Sequence, residues 1–595
     1  MLNIEWSGYA MNSIEKEKSH SFMGNVAIIL FAQIMVKVLG LVYRMVITNI
    51  DGFGNTGNGF YNAGFQVYTV LLAISSVGIP NAIAKMVSEH AATGDWRGAH
   101  RIFKTALKLF TIIGIICTAI LYVGADFIAV HIMNMDGAQY VMRALAPSLL
   151  FVCISSVIRG YFQGLNDMSA TSLSQMLEQI FKCLLTIVFV LLTVGVMPKL
   201  MQYLTSFTLL YKASSDITPP EIMAAWANAA SSVAAMLSLV YLAIFYLRRR
   251  HRINERVKLC EPENARVSTA RLVKSILMLS IPISLASIIT AINRVVDLAT
   301  ITRGIEIAFQ NGIPAIGKAA AIASPTAAQL NTAAVTLSGM LSKSDTLFNM
   351  PLALNIAFAT VLVPSISGAL AKGDTKEASE KTSYSFLISI LLILPCAIGY
   401  IVLSQPIYKI IYPATPDGAD LLSIMAVALL FSALTQTITG ALQGIGKVFV
   451  PALAILVGCI FKVILNIALI RIPSINIYGA AISSIVCQVI AFLINFAVLV
   501  KYIPIKISLG KYIAKPLCAG IVMGGICRGA YEVLYRISGT GYMSNLISAV
   551  ISIGLAALVY VFLLLILKVM DKNDIMLLPG GGKIYSLLTK LKLYK

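Results

Sequence analysis

About fourteen long apolar stretches divide the sequence, and they constrain its fold more than any other feature. Each is about 20 residues long, the length of helix that crosses a hydrocarbon core of about 30 Å. None shows the alternating polar and apolar residues of a barrel strand. The sequence therefore predicts an all-α polytopic membrane protein. The predicted spans lie near residues 24–47, 61–84, 105–128, 140–162, 171–196, 222–247, 272–297, 345–368, 384–404, 419–443, 449–470, 478–500, 514–535 and 544–569.

The composition agrees with a membrane location but adds an unexpected charge. Hydrophobic residues make up 58% of the chain and charged residues 12%, about half the charged fraction of soluble domains. This composition excludes a soluble, disordered or coiled-coil protein. The chain nevertheless has 46 Lys and Arg against 26 Asp and Glu, a net charge of +20.

The basic residues are concentrated in alternate connections between the spans, beginning at the N-terminus. Because cytoplasmic connections carry an excess of Lys and Arg, this pattern predicts that both termini are cytoplasmic. The densest cluster lies within 248–271. It could be a nucleic-acid patch, but its position favours a role in topology and contact with anionic lipids, with no nucleic-acid partner. The polar segment before the first span lacks the apolar region and cleavage site of a signal peptide, so we expect that span to be retained.

An internal repeat predicts two pseudo-symmetric lobes of six spans each. Since six is even, both copies have the same orientation, as in transporters built from parallel repeats. The matching residues are Gly160, Gln163, Gly164, Ile180, Phe181, Lys182, Leu185 and Ile187 with Gly440, Gln443, Gly444, Ile460, Phe461, Lys462, Leu465 and Ile467. The predicted units are a cytoplasmic segment 1–22, an N-lobe 23–247, a basic linker 248–271, a C-lobe 272–500 with an outer insertion 300–344, two further spans within 501–570, and a basic cytoplasmic tail 571–595.

Ionisable residues inside the spans are the candidate functional residues. Each costs roughly 2.5–3.5 kcal/mol at mid-membrane on insertion scales, so such groups usually face a bundle interior or water. A set of basic groups between two lobes predicts a water-filled, cationic cavity that would suit a polyanion such as a pyrophosphate. The candidate cavity residues are Lys37, Arg44, Arg159, Glu178, Lys182, Arg294, Asp297 and Lys343.

Simpler interpretations of these residues stay open. Arg44, Arg159 and Lys343 lie near span ends, where their side chains could extend to the interface. Glu178 and Lys182 are four residues apart, and Arg294 and Asp297 are three apart. Each couple could instead form a structural ion pair along one helix. Lys37 is the strongest candidate, because it lies near mid-span and shares a helical face with Arg44.

Gly78, Pro80 and Pro364 interrupt spans at corresponding positions of the two halves. Broken helices at such positions are candidate hinges or gates for alternating access, although a tolerated kink is the alternative.

The remaining motifs exclude other chemistry. The nine cysteines form no C-x-x-C pair, so neither a metal site nor a disulfide framework is predicted. Residues 52–57 match G-x-G-x-x-G but follow a membrane span rather than a strand, and 580–583 lack the full P-loop pattern. We therefore expect no cofactor and no ATPase activity, and transport coupled to Na⁺, H⁺ or the membrane potential.

Several segments together resemble one protein family. They are 37–44, 75–80 with Lys85 and Glu89, 159–164, 174–182, 349–351 and 364–367. From about residue 23 to 570, the chain resembles the stage V sporulation protein B and polysaccharide biosynthesis family. These proteins are relatives of MurJ-like lipid II flippases in the multidrug/oligosaccharidyl-lipid/polysaccharide exporter superfamily, which includes the MATE proteins.

The resemblance implies a two-lobed, fourteen-span flippase for undecaprenyl-pyrophosphate-linked saccharides in the bacterial cytoplasmic membrane, a partner of the cell-wall synthesis machinery. It implies that Lys37 and Arg44 bind the pyrophosphate, with Arg294 and Lys343 as weaker candidates, and that the lipid tail lies beside the last two spans. The chain departs from the better-known flippases in its neutral second span, in Ala170 where proline is expected, and in the 300–344 insertion.

Two other functions remain as alternatives. A cation-coupled multidrug antiporter would need an acidic, aromatic cavity. A membrane glycosyltransferase would need a pair of catalytic carboxylates in a large outer loop, and the 300–344 segment contributes only Glu306.

Overall fold

Long α-helices account for nearly all of the structure. The computed structural model describes residues 22–165, 167–195, 219–259, 268–311, 326–371, 374–447, 449–505, 508–571, 574–575, 585–586 and 589. The helices are α1 (Phe22–Thr48), α2 (Gly54–Leu72), α3 (Ile79–Ala92), α4 (Trp96–Phe127), α5 (Ala138–Gly164), α6 (Ser169–Gly195), α7 (Pro220–Leu259), α8 (Thr269–Asn311), α9 (Ala327–Ala371), α10 (Thr375–Ile411), α11 (Ala419–Gly444), α12 (Phe449–Leu469), α13 (Tyr478–Tyr502), α14 (Lys515–Ser538) and α15 (Tyr542–Ile566).

These helices confirm the predicted polytopic membrane fold. Each predicted span falls on a helix, and α2 and α3 together form the second span. Within the described residues, 11 helical stretches are long and apolar enough to cross a membrane. The helices α1, α8 and α9 accommodate the other three predicted spans, with 27, 43 and 45 residues. The protein is therefore a multi-pass membrane protein.

The predicted insertion at 300–344 is not a separate unit. Helix α8 continues to Asn311 and α9 begins at Ala327, so much of this segment extends two spans. Its alanines favour helix, and apolar residues spaced four apart, such as Ile301 with Ile305 and Leu337 with Leu341, are buried in one core. Residues 312–325 lie outside the described part of the chain.

Helix α8 packs against both lobes and connects them. The residue boundaries of the lobes stay a prediction. Near its start, Leu272 and Ile276 pack in the same core as Ile79 of the N-lobe. Further along, Ile301 packs in a core with Ile470 of the C-lobe. The last two helices, α14 and α15, pack on α10 beside the C-lobe.

We call the end of the bundle where α1 meets α2 the distal end, and the end where α3 meets α4 the basic end. At the distal end the lobes touch backbone to backbone. A Cβ added to Gly59 would lie 2.2 Å from the carbonyl oxygen of Val335, and one added to Gly339 would lie 1.8 Å from that of Asn55. Only glycine permits so close an approach. These contacts close the distal end of the interface between the lobes.

The second span is broken as predicted around Gly78. A π-helical turn, Ala73–Val77, separates α2 from α3, a feature often found at functional sites. The Gly78 amide donates a hydrogen bond of 3.0 Å to the Ser284 hydroxyl of α8. In the C-lobe, α9 stays helical across Pro364, whose side chain lies outside the described part. The hinge role of Gly78, Pro80 and Pro364 remains a prediction.

Candidate functional site

A cavity of about 480 Å³ lies between the two lobes. Its N-lobe wall is formed by α1, α2 and α6, and its C-lobe wall by α8, α9, α11, α12 and α13. The helices of both lobes thus meet around one polar space, as the repeat predicts.

The cavity is lined by more cationic than anionic side chains. Its ionisable lining residues are Lys37, Arg44, Lys182, Arg294, Lys462, Asp297 and Asp345. Five of these are cations and two are carboxylates, so the lining has an excess of positive charge. The structure brings together five of the eight candidate residues: Lys37, Arg44, Lys182, Arg294 and Asp297.

Helix α1 directs its two cations into the cavity because they are seven residues apart and lie on one helical face. Gly40 and Leu41 line the cavity between Lys37 and Arg44. By contrast, Val38 and Val42 are each about 40% exposed, on a different side of the helix. The sequence of α1 therefore separates a polar cavity face from an apolar outer face.

Aromatic rings hold two of the cations without neutralising them. The Arg44 guanidinium lies 4.4 Å from the centroid of the Tyr61 ring and donates to the Ser342 hydroxyl at 3.1 Å. The Lys182 ammonium lies 5.6 Å from the Tyr43 ring centroid and 5.1 Å from that of Phe65. Cation–π contacts order such side chains and leave their charge available to an anion.

Glu178 does not pair with Lys182, although their spacing left such a pair open as an alternative. The Glu178 carboxylate instead accepts a hydrogen bond of 2.7 Å from Arg159 on α5. Arg159 also donates to the Ser174 and Ser238 hydroxyls, at 2.9 and 3.0 Å. A buried guanidinium needs acceptors for its several N–H groups, so this cluster ties α5, α6 and α7 together. Arg159 and Glu178 lie outside the cavity lining.

Asp297 likewise does not pair with Arg294. Its carboxylate accepts hydrogen bonds from the Lys462 ammonium at 2.7 Å and from the Asn466 amide at 2.6 Å. Arg294 remains part of the cavity lining. Lys462 was absent from the predicted site, although its repeat correspondence with Lys182 was a signal that could have placed it there.

Lys343 lies outside the cavity lining, so its predicted role there is not supported by its position. Its ammonium donates to the carbonyl oxygens of Thr415 and Asp417, at 2.6 and 3.0 Å. On α9, the neighbours Ser342 and Asp345 face the cavity, and successive residues point about 100° apart around a helix. Lys343 therefore points towards the connection between α10 and α11 instead.

That connection contacts the N-lobe at the distal end. The Asn49 amide donates to the carbonyl oxygen of Ile411 at 2.8 Å. Its side-chain oxygen accepts from the Ala414 amide at 3.1 Å. By binding Thr415 and Asp417, Lys343 stabilises a loop that helps to close the distal end.

The sequence reasoning also missed Asp345 and several neutral polar residues of the cavity. Asp345 follows Lys343 by two residues, and the helical face shared with Ser342 and Asn349 was its available signal. Among the described residues, there is no group of three or more His, Cys, Asp or Glu side chains that could hold a metal ion.

The chain matches known protein families over most of its length. The model of the polysaccharide biosynthesis protein family matches residues 22–368, more than half of the chain. The chain belongs to this family. A second family model, that of the lipid II flippase MurJ, matches residues 312–561.

Curated relatives match this family member over almost their whole length. The lipid II flippase MurJ of Bacillus subtilis (strain 168) is 25% identical over 545 residues, covering 88% of this chain and 92% of the relative. The stage V sporulation protein B of the same organism is 23% identical, covering 95% of this chain and 99% of the relative. The predicted family resemblance is confirmed.

Solved structures support the fold. A lipid II flippase MurJ in an inward closed conformation aligns with a TM-score of 0.60 at 14% identity, covering 90% of this chain and 97% of that structure. An inward-facing MATE multidrug transporter of the MOP superfamily aligns with a TM-score of 0.57 at 14% identity, covering 80% of this chain and 97% of that structure. The family member therefore has the two-lobed fold shared by these transporters.

Proposed function

We propose that this protein is a flippase that moves an undecaprenyl-pyrophosphate-linked saccharide, lipid II or a related wall or polysaccharide precursor, across the bacterial cytoplasmic membrane. The observation that carries the proposal is the cavity between the lobes, which five cations and two carboxylates line. A flippase must give a polar headgroup a path through the hydrocarbon core, and this cavity provides a polar space there.

The charge of the cavity matches a pyrophosphate. Coulombic attraction between a cation and an anion is stronger in the low-dielectric interior of a protein than in water. Lys37, Arg44 and Lys182 have no carboxylate partner within salt-bridge distance among the described residues. Their charge is thus available to the two phosphate groups of the substrate.

The closed distal end fits loading from the cytoplasmic side. The Lys and Arg excess supports a cytoplasmic location for the basic end and both termini, where exposed residues such as Arg248 and Arg250 would contact anionic lipids. The distal end, which faces outwards in this orientation, is sealed by Gly59, Gly339 and the Thr56–Thr336 hydrogen bond. Alternating access would then open the distal end to release the headgroup outside.

The relatives support the same substrate class. The Bacillus subtilis protein that matches 88% of this chain is a lipid II flippase. Transport without an ATPase domain would be coupled to Na⁺, H⁺ or the membrane potential, and we propose no enzymatic activity and no bound cofactor. Proteins of the cell-wall synthesis machinery would supply and use the lipid-linked saccharide.

A cation-coupled multidrug antiporter is the second candidate, because MATE transporters share the fold. The positive excess of the cavity argues against it, since organic cations would be repelled by Lys37 and Arg44.

Depletion of the protein in its own cells tests the proposal. We expect lipid-linked saccharide precursors to accumulate on the inner leaflet as the protein is lost, because synthesis continues while transport stops. The measurement is the precursor content of the membrane and the fraction accessible from outside. Unchanged precursor levels combined with hypersensitivity to cationic drugs would contradict the flippase function and favour the antiporter.

A further inference from the structure

The two walls of the cavity differ in charge. The N-lobe wall contains three cations, Lys37, Arg44 and Lys182, and no carboxylate is among its lining residues in the described part of the chain. The C-lobe wall contains two cations and two carboxylates. The net positive charge of the cavity therefore comes from the N-lobe wall alone.

Contacts within each lobe maintain this difference. In the N-lobe, the nearby Glu178 is held by Arg159 and does not neutralise Lys182. In the C-lobe, Asp297 neutralises Lys462 at 2.7 Å. Asp345 lies within electrostatic range of Arg294 and Lys462. The two carboxylates of the C-lobe wall thus balance its two cations in number, and an anion is attracted more strongly to the N-lobe wall.

Neutral polar side chains line both walls: the N-lobe wall has the three amides Asn62, Gln66 and Gln179 beside its cations, and the C-lobe wall has a larger set beside its balanced charges. The C-lobe set is Thr290, Asn293, Ser338, Ser342, Thr346, Asn349, Ser484 and Gln488. Gln488 on α13 and Asn293 on α8 have amide groups without a hydrogen-bond partner among the described residues. An amide offers two donors and an acceptor, and a carboxylate offers acceptors only, so this wall presents both kinds of group to a ligand.

We infer that the two walls divide the substrate between them: the N-lobe wall binds the pyrophosphate and the C-lobe wall binds the saccharide through Gln488, Asp345, Asn293 and Asn349. Sugar hydroxyl and acetamido groups need donors and acceptors without net charge. The carboxylate of Asp345, which has no salt-bridge partner among the described residues, accepts from hydroxyls but repels phosphate, which orients the headgroup. This inference rests on the proposed function and assigns a specificity-determining role to the C-lobe wall.

Binding measurements with two lipids test this division. The probes are undecaprenyl pyrophosphate and the same lipid carrying a disaccharide of N-acetylated hexosamines, each titrated against the purified full chain in detergent. We expect Gln488→Leu to weaken binding of the glycosylated lipid by about 3- to 10-fold, the range for one hydrogen bond, with little effect on undecaprenyl pyrophosphate. Asp345→Asn should weaken binding of the glycosylated lipid. It should bind undecaprenyl pyrophosphate at least as tightly as the unmutated protein does, because a negative charge is removed.

Lys182→Gln tests the N-lobe wall. Because both lipids carry the pyrophosphate, this variant should weaken the binding of both by the same factor. Leu493→Ala, on the exposed side of α13 at 55% exposure, should change neither affinity. Equal losses for both lipids in Gln488→Leu and Asp345→Asn, or no loss for either, would overturn the division between the walls. If the unmutated protein bound neither of the two lipids, the proposed function itself would be overturned.

Discussion

Replacing Lys37 with alanine is expected to slow transport enough to abolish complementation, while the protein still folds and reaches the membrane. Lys37 lines the cavity near the middle of α1 and has no carboxylate partner within salt-bridge distance among the described residues. A hydrogen bond to a charged group contributes about 1.5–3 kcal/mol, so losing it should slow transport roughly 10- to 150-fold. Complementation of a depleted strain, with protein levels followed by immunoblot, measures the effect.

Two further variants show whether the charge itself matters. Lys37→Arg keeps a cation in the cavity and should retain most activity. Val38→Ala changes the neighbouring residue, which is 41% exposed on the other side of the helix, and should complement fully. Full activity of Lys37→Ala would mean that Lys37 only extends to the interface, and that it takes no part in substrate binding.

A disulfide across the distal end is expected to stop transport reversibly. The hydroxyl oxygens of Thr56 on α2 and Thr336 on α9 are 2.9 Å apart, so cysteines at these two positions would have their sulfur atoms close to each other, as a disulfide requires. Oxidation of Thr56→Cys/Thr336→Cys should lock the distal end closed and reduce transport to background. Reductant should restore it, because the bond is the only constraint added.

The single variants Thr56→Cys and Thr336→Cys are the matched controls, and both should transport under oxidising conditions. Native cysteines such as the exposed Cys518 make these controls necessary. Efficient cross-linking without loss of transport would show that the distal end does not need to open, which is incompatible with alternating access through this interface.

The span pattern and the cavity face of α1 could be predicted from the sequence because both depend on local periodicity. Apolar runs of helical length identify spans whatever their neighbours, and Lys37 and Arg44 share a face in any α-helix. The internal repeat and the basic residues inside the spans added the expectation of two lobes around a cationic cavity, and the structure has a cavity with this lining between the lobes.

Partner choice could not be predicted in the same way. The spacing of Glu178 and Lys182 permits a pair along α6, but Arg159 from α5 comes close enough to take the carboxylate. Asp297 is similarly bound by Lys462, which is distant in sequence. Such pairs depend on which helices pack together, and hydrogen-bonding needs of buried groups then decide among the candidates.

Lys343 illustrates the same limit at the distal end. A basic residue at the expected start of a span resembles a cavity or interface residue. Because α9 begins earlier, at Ala327, Lys343 lies within the helix and turns towards Thr415 and Asp417. Its contacts depend on where the helix begins and on the position of the loop between α10 and α11, and neither can be predicted from the local sequence.

Transport by the purified protein in vesicles tests the central claim most directly. Liposomes containing the protein and a fluorescent undecaprenyl-pyrophosphoryl disaccharide would be treated with a membrane-impermeant reagent that destroys label on the outer leaflet. Vesicles with the unmutated protein should expose nearly all of the label to the reagent over time, whereas vesicles with Lys37→Ala should protect about half of it. Equal protection in vesicles with unmutated protein and in protein-free vesicles would contradict the account.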